Sequence, residues 1–155
     1  MTAGTEGAAI PRRTAARRLL ALAVVAALPW TVVVYSGGYD LLFPWGVFNS
    51  NPPRILSLPD LFRSTGGRAP ARLTTWALST AIFLVAAVME TIGVITARLT
   101  RTDGTDRRLV AGLLVLAAVA NLRVTLHLAR IGETALPLGV PILVVAAWWR
   151  SVRPP

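Results

Sequence analysis

The sequence predicts an all-α fold, an integral membrane bundle of about four transmembrane helices with an interfacial segment in the first extracellular loop. Three observations carry this. Hydrophobic residues make up 54% of the 155 and charged residues only 15%, outside the usual soluble balance. The apolar residues fall in long charge-poor blocks, with almost every charge between them. Those blocks are rimmed by arginine, which orients membrane helices.

Residues 1–18 form a polar, basic N-terminal segment expected to be disordered and cytoplasmic. Residues 19–149 form a single transmembrane domain, and residues 150–155 a short cytoplasmic tail. The first block, Leu19 to Tyr35, covers roughly 26 Å as a helix, enough for a thin bilayer core, with Pro29 as a kink. A cleaved signal peptide is the competing reading, with Val34-Tyr35-Ser36 as a passable cleavage site; the length of the apolar stretch and the late proline favour an uncleaved anchor. The arginine pairs do not complete a twin-arginine signal.

Tyr39 to Phe48 is too short to span and too aromatic for an ordinary loop, so it is expected at the headgroup level, lying on the surface or re-entering it. Asn49-Ser50-Asn51-Pro52-Pro53 breaks the backbone. Ser57-Leu58-Pro59-Asp60 then resembles a capping box that opens a short helix through Phe62, stopped at Gly66-Gly67. The second block runs from Leu73 to Ala97, and a basic hairpin loop from Arg98 to Arg108 leads to the third, Leu109 to about Ala129. The fourth, about Ala135 to Trp149, is short, near 22 Å, and contains Pro137 and Pro141.

Orientation follows from the basic residues, all sixteen of them arginine. With the N-terminus inside, ten lie on the cytoplasmic side: Arg12, Arg13, Arg17, Arg18, Arg98, Arg101, Arg107, Arg108, Arg150 and Arg153. Arg54, Arg63, Arg68, Arg72 and Arg130 lie outside, four of them in the longer loop, where the positive-inside rule counts for less. The expected location is the cell membrane, multi-pass, with both termini cytoplasmic.

The net charge of +9 does not signal nucleic acid, because the arginines flank apolar blocks and do not interleave with aromatics on a soluble face. The bilayer is the expected partner, with arginine against anionic headgroups. The absence of cysteine excludes disulfides, iron–sulfur clusters and cysteine nucleophiles. A single histidine, His127, excludes a multi-histidine metal site within one protomer. No cofactor is expected.

The order of landmarks carries a resemblance. Leu28-Pro29-Trp30-Thr31-Val32-Val33-Val34, Phe43-Pro44-Trp45-Gly46-Val47-Phe48-Asn49 and Asn51-Pro52-Pro53 come first. Ala111-Gly112-Leu113-Leu114-Val115-Leu116, Thr134-Ala135-Leu136-Pro137-Leu138-Gly139 and Trp148-Trp149 follow. From Arg17 to Trp149 the chain resembles a small uncharacterised membrane protein family of halophilic archaea, encoded near HtrA-type serine proteases. The basic balance departs from the acidic soluble proteins of such organisms. The resemblance implies no activity and no catalytic residue.

Polar residues inside apolar helices are the functional candidates, because they are expensive there. Thr75, Ser79, Ala86, Glu90, Gly93 and Ala97 recur at helical spacing on the second block, as a close-packing seam or as the lining of a polar path. Arg123, His127 and Arg130 share a face of the third, either a snorkelling edge or an outward anion pocket. Ser79 and His127 both lie in the outer halves of their helices, but no glycine-rich turn exposes Ser79 as a nucleophile, so an interhelical hydrogen bond is the plainer reading. Glu90 and Arg123 form the candidate intramembrane pair. Glu90 leans outward and Arg123 inward on antiparallel helices, so their heads converge across a depth gap of about 10 Å.

No phosphate loop, zinc-protease helix or nucleophile elbow is present. The expected role is therefore a non-enzymatic accessory or interaction protein, working with another membrane or surface protein; an oligomer is compatible with the pattern. The alternative is a small transporter or channel subunit using the polar faces of the second and third helices.

Overall fold

The computed structural model describes residues 12–66, 70–100, 105–130 and 134–152. The chain runs α1 (Arg12–Ala27), β1 (Thr31–Tyr35), β2 (Gly38–Phe43), β3 (Gly46–Ser50), β4 (Pro53–Ser57), α2 (Leu58–Ser64), α3 (Ala71–Thr100), α4 (Arg107–Arg130), β5 (Thr134–Leu136) and α5 (Gly139–Val152). The strands form one antiparallel sheet in the order β4-β3-β2-β1-β5. The all-α expectation is overturned: the fold is mixed, a five-stranded sheet together with helices. Among the described helices two, α3 and α4, are long and apolar enough to cross a bilayer, not four.

The second and third apolar blocks are α3 and α4, each within two or three residues of the expected ends. The other two blocks each split at a proline. After Pro29 the run Thr31-Val32-Val33-Val34-Tyr35 is β-branched and is followed by Gly37 and Gly38, which favours an extended strand and a tight turn over further helix. Pro137 separates β5 from α5 in the same way. As a result α1 has 16 residues and α5 has 14, about 24 and 21 Å, short of a hydrocarbon core of about 30 Å. The helix α1 also takes up Arg12–Arg18, assigned from sequence to the polar N-terminal segment.

Tyr39 to Phe48, expected as an interfacial or re-entrant segment, is the β2–β3 hairpin, turning at Pro44-Trp45. Its aromatics pair on the sheet: Phe43 stacks on Trp45 with centroids 4.9 Å apart. The next turn is tied back by Asn51, whose Nδ2 donates to Gly37 O at 2.9 Å while its backbone N–H donates to Asn49 Oδ1. The short helix α2 starts where its sequence places it. Ser57 is the N-cap, its Oγ accepts from Asp60 N, and Gly66 takes a positive φ of 58° beyond the end. The Ser57 hydroxyl, and then Arg63, hold the Asp60 carboxyl below its ordinary range.

Two apolar clusters join these layers. One lies among the long helices and contains Val25, Phe83, Leu114 and Leu143. The other lies under the sheet, where Val33 meets Leu73, Trp76, Val124 and Leu128. Trp30 links them. It is fully buried, donates its indole N–H to Val25 O at 3.0 Å, and meets Phe83 edge-on at 5.2 Å. Its backbone N–H donates to Leu42 O in the sheet, and its carbonyl accepts from Gly139 N at the start of α5. A Cβ on Gly139 would stand 2.7 Å from Trp30 Cβ and 2.9 Å from Asn121 Oδ1, so this junction requires glycine.

Candidate functional site

The inward face of α3 carries the large residues Leu73, Trp76 and Phe83 in its first half and mostly small residues around one acid in its second. Of the expected seam, Ser79, Ala86, Glu90, Gly93 and Ala97 are buried, whereas Thr75 is only half-buried and donates its hydroxyl to Ala71 O in its own helix. The seam lets α4 approach closely. Ser79 Oγ donates to Ala117 O at 2.9 Å, and Thr105 Oγ1 donates to Met89 O at 2.7 Å. A Cβ on Gly93 would collide with the Thr105 backbone nitrogen, so the α3–α4 hairpin closes over that glycine.

Glu90 is 2% exposed and stands where α1, α3 and α5 meet. Its Oε2 accepts from both Nε and a terminal nitrogen of Arg150, each at 2.9 Å. On the other side, Arg18 approaches Oε1 to 3.7 Å, close enough for an ion pair but too long for a hydrogen bond. Both arginines are nearly as buried as the acid. The trio carries one net positive charge. A cavity of about 20 Å³ beside it is lined by Arg18, Glu90, Trp149 and Arg150 among others, the size of a single water. Such an arrangement neutralises a carboxylate and clamps three helices.

Arg123 is not the partner of Glu90. The hydrogen bonds of Ser79 and Thr105 set the register of the antiparallel pair and put Glu90 beside the first turn of α4. Arg123 lies 16 residues beyond Arg107, roughly 24 Å further along. It also faces outward, since the inward stripe of α4 is Val110, Leu114, Ala117, Asn121, Val124 and Leu128. Side-chain lean closes a few ångströms, not this distance. His127 and Arg130 share the exposed face with Arg123, and none of the three has an ion pair among the described residues. Ser79 is spent on Ala117 and is not brought to His127.

Arg18 and Arg150 were missed as site residues because each also rims an apolar block. The signal that finds them is helical phase. Gly139, Leu143, Ala147 and Arg150 fall on one buried stripe of α5, and Ala15, Arg18 and Val25 on one of α1. A second buried polar group lies nearer the sheet: Thr31 Oγ1 accepts from Asn121 Nδ2 and meets Thr125 Oγ1, both at 3.4 Å, while Asn121 Oδ1 has no hydrogen-bond partner among the described residues.

No curated protein and no solved structure matches this chain. A family described as a domain of unknown function, DUF8050, matches residues 2–153. Since that match takes in both the clamp and the sheet, the chain belongs to the DUF8050 family.

Proposed function

We propose that this chain is an integral membrane protein without chemistry of its own, an accessory protein that holds its sheet at one face of the bilayer for another membrane or surface protein. The α3–α4 hairpin crosses the hydrocarbon core. The shorter α1 and α5 pack on it within that thickness. The observation that carries this reading is the outer surface of the hairpin. In the most apolar stretches of α3 and α4, only 39% and 44% of residues are buried within the protein. The rest present Leu78, Leu84, Val88, Ile92, Leu116 and Val119, each at least half exposed. A contiguous surface of that kind needs lipid or a partner against it.

Charge placement supports the same reading. Among the described residues, Arg17, Arg18, Arg98, Arg107, Arg108 and Arg150 gather at the end away from the sheet, which the positive-inside rule places in the cytoplasm. Glu90, the one acid within the crossing segments, is neutralised inside the protein, as an intramembrane charge must be. Transport through the polar faces is less well supported, because Ser79 and Glu90 are closed off by Ala117 and Arg150. The resemblance to an archaeal family encoded near HtrA-type proteases makes a membrane or surface protease the first partner to seek among co-purifying proteins.

Alkaline extraction followed by flotation tests the placement. The expressed chain is expected to stay with the bilayer after carbonate treatment and to float with it. Release into the supernatant as a folded protein would overturn the proposal.

A further inference from the structure

We propose that a chamber between the sheet and the α3–α4 pair binds a single-chain amphiphile with an anionic head. The two layers do not close on each other throughout. Where the contact of Val33 with Leu73, Trp76 and Val124 ends, the layers part around a partly open space of about 280 Å³, bounded also by Leu42 and Val47 of the sheet and by Leu61 of α2. Folded interiors hold few voids larger than a water. This one approaches the small end of the range for ligand sites, about 300–1,000 Å³. Its inner walls are mostly apolar, so water deep in it finds few polar partners. An alkyl chain needs none.

The mouth supplies the polarity. Ser64 and Thr65 stand there, but their hydroxyls already donate to Leu61 O and Phe62 O. Asp40, on the sheet side, already accepts the Tyr35 hydroxyl at 3.1 Å. Arg72 is exposed at the mouth and has no ion pair among the described residues. The unspent groups are thus a cation and, in the wall, the buried Trp76 indole N–H, which has no hydrogen-bond partner among the described residues; both are donors, and beside an apolar space they select an alkyl chain ending in a carboxylate or phosphate. Asp40 opposes that head and keeps it on the Arg72 side. The geometry of the chamber does not depend on where the bilayer lies. The ligand can come from solution as a fatty acid or from the bilayer as an anionic lipid.

Trp76 in the wall is a built-in reporter. The full chain is placed in nanodiscs of plain phospholipid, and a bromo-substituted fatty acid is titrated in while tryptophan fluorescence is read. We expect saturable quenching that Trp76→Phe largely removes. Ser64→Phe, which sets a ring across the mouth at an exposed position, is expected to abolish saturation. Arg72→Gln should weaken binding about fivefold, the scale of a partly exposed charge pair. Asp40→Asn should leave it equal or tighter. In a second arm, nanodiscs containing an anionic lysophospholipid brominated on its one acyl chain receive no fatty acid; Trp76-dependent quenching there would identify the bilayer as the source. Saturable quenching that survives both Trp76→Phe and Ser64→Phe, or the absence of Trp76-dependent quenching from both arms, would overturn the site. Circular dichroism confirms that each variant is folded. Flotation of the same preparation reports the membrane placement separately, and a chain that does not float is titrated in buffer alone.

Discussion

Glu90 illustrates how much one buried residue commits its neighbours. Removing one partner of a buried ion pair costs about 3–5 kcal/mol, because the other charge is left without compensation. Glu90→Gln strands Arg150 and Arg18 together, and Arg150→Gln leaves Glu90 only the longer contact with Arg18. Each is expected to lower thermal stability in detergent by an amount on that scale, and the double variant to recover part of the loss. Arg123→Gln, at an exposed position, is expected to change stability by no more than about 0.5 kcal/mol. Differential scanning fluorimetry of the four variants decides this; additive losses from Glu90 and Arg150 would contradict the pairing. Asp60 yields a prediction in pH. Its carboxyl is held below the ordinary range in the folded chain, so its contribution is present above the unfolded value and is lost as pH falls through the lower, folded one. The first turn of α2 is therefore expected to fray only below the usual carboxylate range, followed by the amide resonances of Ser57 and Asp60. Fraying as pH rises would contradict the assignment. That Glu90 matters was legible from its place in a stripe of small residues. Its partner was not, because depth counted from arginine-rimmed boundaries ignores which face a residue occupies.

Among the elements, α2, α3 and α4 follow from local rules: a capping serine, a glycine stop and long apolar runs. The sheet does not. Hydropathy alone cannot tell an apolar helix from an apolar strand, and the distinguishing detail lay in chemistry within the block. Pro29, expected as a kink within a helix, and Pro137, inside the fourth apolar block, are the points where helix and strand exchange. Thr134-Ala135-Leu136 is a strand because Val32, Val33 and Val34 lie beside it, about a hundred residues earlier in the chain, and no local window contains that pairing. Gly139 sits where this long-range join is tightest. Gly139→Val forces a side chain into Trp30 and Asn121 and is expected to destabilise by about 1–3 kcal/mol, or more if Trp30 cannot yield. Gly112, in the second turn of α4, has open space where a Cβ would stand, and Gly112→Ala is expected to be neutral or to stabilise by about 0.5–1 kcal/mol. Thermal unfolding of the two variants checks the contrast; equal tolerance at both positions would show that the junction is looser than described.

At the scale of the whole molecule, the two ends differ in kind. The arginine-rimmed end is closed by the Glu90 clamp, and the opposite end carries the sheet, α2 and the chamber under them. Between them the apolar outer faces of α3 and α4 are largely exposed among the described residues. The central claim is that a bilayer fills that place and separates the two ends. The chain has no cysteine, so a single introduced thiol can be read without background. Ser64 in α2 and Ser151 at the end of α5 are both exposed and lie at opposite ends. In intact cells, Ser64→Cys is expected to react with a membrane-impermeant maleimide, and Ser151→Cys to react only after the cells are permeabilised. Labelling of both thiols from outside, or of Ser151→Cys alone, would contradict the account.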